Sequence, residues 1–316
     1  MENSIPWIEK YRPNIVKDIM LEDQVRKQIN IFLKDQPNTH LIITGPPGVG
    51  KTTTIRCIAK EILGEHIETS YLELNAAEDR GVKTIGAIVP AFCMRLVENK
   101  KSKFILLDEA DNITEKCQYD INEMMKKFGH NTKFVFTCND STKIIQDIQS
   151  VCRIIRYSRV KNDDICSYLA SICDKEGVEY NNAGMEMICY ISNGDMRKAI
   201  NNLQVTAYSY NKITKKNVLS SCKVPDPEEI QSIINTCIDQ NFDQAIEDMN
   251  KIINDGYYYL DIVTSFHVSL AKMEMKEELR IRLYSIVNET KIHISNGLRT
   301  KLQLTAMICR MINHCK

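Results

Sequence analysis

Five short apolar runs punctuate the first half of the chain, at 40–44, 71–75, 104–107, 133–137 and 153–157, with stretches of helical spacing between them. Strand-like runs alternating with helix-length segments specify a parallel sheet, because parallel strands need a crossover to join them and a helix supplies it. A run without polar alternation, such as Phe104-Ile105-Leu106-Leu107, belongs to a strand buried on both faces, so helices are expected on both sides of the sheet. From about residue 160 the pattern changes. Ile165, Leu169 and Ile172, then Met185, Ile188 and Ile191, then Met196, Ile200 and Leu203 keep a helical period with no strand between them. Val224-Pro225-Asp226-Pro227 interrupts that period, which resumes at Ile230, Ile233, Ile234, Cys237 and Ile238 and again at Leu302, Leu304, Met307, Ile308 and Met311. The expected class is α/β: a five-stranded parallel sheet over 1–159, a small helical domain over 160–224 and an all-helical domain over 225–316.

Composition adds constraints. The 316 residues allow a large core and more than one domain. Forty-one basic and 41 acidic side chains cancel, so any contact with nucleic acid must come from a local basic face. Twelve cysteines are scattered singly, with no C-x-x-C and no histidine at metal-ligand spacing, which reads as reduced and mostly buried thiols. No N-terminal stretch resembles a signal peptide, and no run approaches the roughly 20 apolar residues that cross a bilayer. A soluble, intracellular protein is expected, not secreted and with no membrane partner.

Chemistry enters at residues 45–52, Gly45-Pro46-Pro47-Gly48-Val49-Gly50-Lys51-Thr52. A glycine loop ending in lysine and threonine offers converging backbone N–H groups, an ammonium and a hydroxyl, the set that packed phosphate oxygens and their Mg²⁺ require. The context fits: 40–44 is a β-rich run, and Ile55, Ile58, Ala59, Ile62 and Leu63 mark a helix from Thr52 to Leu63 whose positive end faces the loop. A glycine turn that merely matches the pattern is the bland alternative. The third strand run ends in Asp108-Glu109-Ala110-Asp111. Carboxylates there suit a metal, held by Asp108 and Thr52, and a base for an attacking water at Glu109. A solvated strand end is the competing reading. ATP and Mg²⁺ are the expected ligands, with Thr53 completing the binding stretch.

Pro6-Trp7-Ile8-Glu9-Lys10-Tyr11-Arg12-Pro13, Leu74-Asn75-Ala76-Ala77-Glu78-Asp79-Arg80-Gly81, the acidic box, Asn139, and Ser192-Asn193-Gly194-Asp195-Met196-Arg197-Lys198 occur in this order. Together they resemble the small subunits of sliding-clamp loaders, the replication factor C family of AAA+ ATPases. The resemblance covers residues 5 to about 205 and rests on length and helicity beyond 225. It implies an AAA+ P-loop sheet with a helical lid, and a collar that joins subunits into a hetero-oligomer, a pentameric open ring. It also implies an ATPase acting within that complex, which loads a sliding clamp at primer–template DNA during replication and repair, at a nuclear or cytoplasmic replication site. Residue by residue, Asn139 resembles the first sensor and Arg197 the second, while Tyr11, Arg12 and Pro13 would lie by the adenine above Ile19 and Met20. A turn at Asn139 and a solvated helix position at Arg197 are the plain alternatives. Arg80 and Lys83 would face DNA. Val89 and Phe92 match apolar positions that touch the clamp, and a buried helix face fits them equally well.

Two departures stand out. Family members that complete a neighbour's active site carry Ser-Arg-Cys before the fifth strand, and this chain has Ser150-Val151-Cys152. An arginine finger is worth roughly 10³–10⁵ in rate, none of which valine supplies. Arg153 is a candidate stand-in if it shares a strand face with Val151, about 6–7 Å away. In the helix after the acidic box, Tyr119-Asp120-Ile121-Asn122-Glu123 replaces the family's arginines. A scaffold subunit that binds ATP but hydrolyses little is therefore a second reading. A protein remodeller is a third, disfavoured because no aromatic–glycine pore loop is present. In the assembled complex, Val151→Arg is expected to raise the ATPase rate at the adjoining site by about tenfold or more. An unchanged rate of phosphate release would show that no finger is missing there.

Overall fold

The computed structural model describes residues 5–34, 39–76, 82–95 and 103–315. Two compact units result, Met1–Thr214 and Lys215–Lys316. In the first, helices α1 (Trp7–Lys10) and α2 (Asp23–Lys34) precede β1 (His40–Thr44), α3 (Lys51–Leu63), α4 (Ile67–Ser70) and β2 (Tyr71–Asn75). Next come α5 (Val82–Met94), β3 (Lys103–Asp108), α6 (Glu115–Phe128), β4 (Thr132–Cys138), α7 (Gln146–Val151) and β5 (Cys152–Arg156). Helices α8 (Asn162–Glu176), α9 (Asn182–Ser192) and α10 (Met196–Tyr210) complete the unit, with a short parallel pair, β6 (Glu179–Tyr180) and β7 (Lys212–Ile213).

All five long strands are parallel, in the order β2-β3-β4-β1-β5. The central strands have apolar middles, Leu41–Ile43, Phe104–Leu107 and Phe134–Phe136, because both faces are covered. On one face Ile105, Leu107, Phe134 and Phe136 pack with Val89, Phe92, Ile121 and Met125. On the other, Leu41, Ile43, Phe104, Leu106 and Val135 pack with Ile29, Phe32, Ile55 and Ile58. The two-residue period of each strand thus divides its side chains between two cores. Truncating one of these phenylalanines to alanine would cost about 3–5 kcal/mol. Lys103 is 3% exposed at the start of β3, and its ammonium satisfies carbonyls at the end of α5, those of Phe92 and Cys93, and that of Arg95 just beyond the helix.

The second unit is helical: α11 (Lys215–Cys222), α12 (Pro227–Ile238), α13 (Phe242–Asn254), α14 (Tyr259–Lys272), α15 (Glu277–Ser295) and α16 (Lys301–His314). Asp226 caps α12 through its side chain, and Pro227 occupies the first turn, where its missing N–H costs nothing. Ile233, Phe266, Leu283, Met307 and Met311 are among the residues of its core. All twelve cysteines are free thiols. Among the described residues no helix is long and apolar enough to cross a membrane.

One expectation about the fifth strand fails. Val151 closes α7 and Arg153 lies on β5 opposite Leu41, so the two residues do not share a strand face. The helix extends to the last residue before the strand, and the period-2 argument has nothing to act on.

His40 opens β1 with Nδ1 accepting the Phe134 N–H at 3.1 Å, which only a neutral ring can do. Burial, helped by the nearby Lys133 ammonium, lowers its pKa to about 4. A folded-state pKa below the unfolded value means stability that is complete above pH 6.5 and is lost as pH falls toward 4. Because the ring is partly solvated, we expect a loss of about 1 kcal/mol between pH 7 and pH 5, less than the full shift would give. Urea unfolding followed by fluorescence of Trp7, the sole tryptophan, should show it, and His40→Gln should flatten the dependence. An unaltered dependence in the variant would contradict the assignment.

Candidate nucleotide site

After Thr44 the chain turns at once into the glycine loop. Gly45 passes so close to the segment after β5 that a Cβ would stand 2.5 Å from the Tyr157 carbonyl oxygen. Helix α3 then begins at Lys51, with Gly50 as an N-cap that makes no side-chain capping bond, leaving the first-turn amides to other acceptors. The Lys51 ammonium donates to the carbonyl oxygens of Gly45 at 2.7 Å and Pro46 at 2.9 Å and to Asn139 Oδ1 at 2.9 Å. Burial lowers its pKa, and the carboxylates of Asp108 and Asp111 act against that fall.

Asn139 directly follows β4, and Asp108 ends β3. The register Leu107↔Phe136 sets Asp108 beside Thr137. Thr137 donates its hydroxyl proton to Asp108 Oδ1, and Thr52 Oγ1 lies 3.1 and 3.0 Å from the two carboxylate oxygens. Lysine, threonine, carboxylate and amide therefore converge from three strand ends, at the carboxyl edge of the sheet where open α/β folds bind ligands. The donor set of Thr52 and Asp108 consists of hard oxygens, which suits magnesium.

Glu109 adopts a left-handed backbone, φ +54°, and its side chain accepts from Asn112 Nδ2 at 3.3 Å. A non-glycine residue held in that region is strained, and such strain concentrates at functional sites. A cleft of about 260 Å³ is lined by residues 47–53, Asp108, Glu109, Asn139 and Arg197 together with Tyr11, Arg12, Pro13, Ile19 and Met20. Gly45 and Pro46 enter through the carbonyls that hold Lys51.

Several residues of the cleft escape a sequence reading. Thr137 follows the apolar stretch Phe134-Val135-Phe136 near the end of β4, and that return of polarity was the available signal. Tyr168 and Ile200, from the helices after β5, also line the cleft. Arg56 lines it while held by Glu73 in a bidentate pair, Nε at 2.9 Å and Nη2 at 2.6 Å. The N-terminal segment is clamped onto the same helices: Lys10 Nζ and the Tyr11 hydroxyl each reach Glu176 at 2.6 Å, and the Tyr168 hydroxyl donates to the Tyr11 carbonyl. Trp7 is 3% exposed, stacks edge-on against Tyr208 and donates its backbone N–H to Gln204.

Other expected contacts lie elsewhere. Arg80 is outside the described residues, and for Lys83 only the backbone, within α5, is described. Val89 and Phe92 are 0% and 5% exposed, packed in the core. They form the buried face of α5 and present nothing to a partner. Among the described side chains of that helix, Ile88 and Met94 are the large apolar ones that are exposed.

Three family models match: the ATPase family associated with various cellular activities over 41–160, the RCF1/5-like AAA+ ATPase lid domain over 167–208, and the replication factor C C-terminal domain over 225–310. A putative replication factor C small subunit of Acanthamoeba polyphaga mimivirus is 61% identical, with 99% of this chain and 98% of that protein covered. Replication factor C subunit 4 of Saccharomyces cerevisiae is 35% identical over 97% of this chain and 95% of its own. The replication factor C small subunit of Methanothermobacter thermautotrophicus is 33% identical over 98% of both. Among solved structures, the Thermotoga maritima RuvB Holliday junction branch migration motor matches 80% of this chain and 90% of its own with a TM-score of 0.57 at 17% identity, a likeness of fold. On the strength of full-length relatives at these identities, the chain belongs to the replication factor C small-subunit family of AAA+ ATPases.

Proposed function

We propose that the chain is a small subunit of a DNA sliding-clamp loader, which binds and hydrolyses ATP to open a clamp and load it at primer–template junctions in replication and repair. The observation that carries this reading is the convergence of Lys51, Thr52, Asp108 and Asn139 at one end of the sheet. The names of the relatives support it at the level of the whole assembly. Its partners would be other loader subunits, in a hetero-oligomeric pentamer, together with the clamp and primer–template DNA. Residues 1–159 would form the nucleotide-binding domain, 160–224 the lid and 225–316 the collar through which subunits associate.

Each side chain has a role in this reading. Lys51 exchanges its neutral carbonyl acceptors for phosphate oxyanions, with which its hydrogen bonds are about twice as strong. The amides at the start of α3 bind the same group. Thr52 and Asp108 hold Mg²⁺, which when bound neutralises charge on the phosphates. Glu109 accepts the proton of the attacking water, Asn139 orients that water, and Arg197 reaches the γ-phosphate from the lid. Tyr11, Arg12 and Pro13 enclose the base over Ile19 and Met20. DNA contact rests on Arg80 and Lys83 from the sequence alone. Clamp contact shifts from Val89 and Phe92 to Ile88 and Met94, whose side chains are 40% and 62% exposed.

A scaffold role is the second reading, favoured by Val151, 46% exposed at the end of α7 where the finger would stand. Two variants separate the readings. Lys51→Ala is expected to weaken ATP binding by about ten- to a hundredfold in calorimetry, from lost charge-assisted hydrogen bonds. Undiminished binding would count against the site. Glu109→Gln is expected to keep ATP affinity while lowering turnover of the assembled complex by about 10² or more. Full turnover in that variant would leave the scaffold reading standing.

A further inference from the structure

Gly48, in the middle of the phosphate loop, has φ +73°, and a Cβ built on it would lie 1.8 Å from Oδ1 of Asp195 and 2.2 Å from its Cγ. The Asp195 carboxyl group therefore fills the space that the glycine leaves free. The next residue ties the two segments through the backbone, the Met196 N–H donating to the Gly48 carbonyl oxygen at 3.0 Å. Asp195 is also the N-cap of α10, its Oδ1 accepting the Lys198 N–H at 2.9 Å. Behind it, Asn193 is left-handed at φ +49° and its carbonyl accepts from Arg159 Nη1 at 2.6 Å. The turn 193–195 is thus held between the phosphate loop and the segment that follows β5.

Arg197 lies one residue beyond the Met196–Gly48 bond, on the first turn of α10. The start of that helix is registered on the phosphate loop itself, and a side chain one residue further on inherits the register. We infer that Asp195 is a positioning residue for Arg197: by capping α10 and abutting Gly48 it fixes the guanidinium at the distance from the loop where a third phosphate would sit. The absence of a side chain at Gly48 is the other half of the device. With alanine at 195, the first turn of α10 loses its cap, the Met196 N–H loses its fixed aim at Gly48, and Arg197 is no longer set against the loop.

This inference rests on the nucleotide-site reading above, and it makes a narrower statement than loss of stability. A purely structural cap would weaken every nucleotide alike. A positioning residue for Arg197 would weaken binding only where a γ-phosphate is present, because ADP offers Arg197 nothing to reach.

Calorimetric titration of the full chain with ATPγS and with ADP, in the presence of Mg²⁺, distinguishes the two. Asp195→Ala is expected to lower ATPγS affinity by about three- to tenfold and ADP affinity by less than about twofold. Asp195→Asn, which still caps, is expected to retain most of the ATPγS affinity. In an Arg197→Ala background, Asp195→Ala should cause no further selective loss, since the side chain it positions is gone. ADP binding by each variant reports that the chain is folded. Equal losses for both nucleotides, a loss in Asp195→Asn as large as in Asp195→Ala, or additive effects with Arg197→Ala would each overturn the inference while leaving the nucleotide site intact. A wild-type chain that binds neither nucleotide would overturn both.

Discussion

The Asp108 carboxylate, bonded by hydroxyls from Thr137 on the neighbouring strand and Thr52 on the helix after the glycine loop, is the interaction on which the site depends. It exists because three strands with almost wholly apolar bodies end together. Phe104 to Leu107 and Phe134 to Phe136 are at most 1% exposed, so nothing polar along them competes for position. Polarity begins where the strands stop, and parallel register makes all of them stop at the same edge. Hydrophobic burial supplies the stability of this arrangement, and the strand ends supply the address at which charge is tolerated.

The second constraint is how closely the helices after β5 are bound to that edge. Tyr11 is gripped by Glu176 through its hydroxyl and by Tyr168 through its carbonyl, and Tyr11, Tyr168 and Arg197 all line the same cleft. Lys10 and Tyr11 hold the Glu176 carboxyl below the usual carboxylate range, so the grip is a charged one. The N-terminal segment therefore links the wall of the cleft to α8 and α10, and Met196 links α10 to the phosphate loop. Occupancy of the cleft and placement of those helices are mechanically joined through named hydrogen bonds.

How much of this could be read beforehand depended on whether the information was local. The five strands lie within a residue of the runs that mark them, and the central β3 and β4 do so through the unbroken apolar stretches Phe104–Leu107 and Phe134–Phe136 that a strand buried on both faces carries. The glycine loop and Asp108 were legible because their chemistry is written in adjacent residues. The partner of Tyr11 was not, since Glu176 lies 165 residues away. Thr137 could be noticed only as the polar residue that ends the apolar stretch Phe134–Phe136. Helix α5 misled for another reason: it is apolar on both its buried and exposed faces, so Val89 and Phe92 could not be told from Ile88 and Met94 by period. Val151 was placed on a strand because the helix before β5 is only six residues long, too short to announce itself by periodicity.

The most direct measurement is a crystal structure of the chain with a non-hydrolysable ATP analogue and magnesium. The account predicts the Lys51 ammonium turned from Gly45 and Pro46 to the phosphates and a metal about 2.1 Å from the Thr52 hydroxyl, with Asp108 in its inner or water-bridged shell. A nucleotide bound elsewhere, or a Lys51 still bonded to its own loop with the cleft filled, would contradict it.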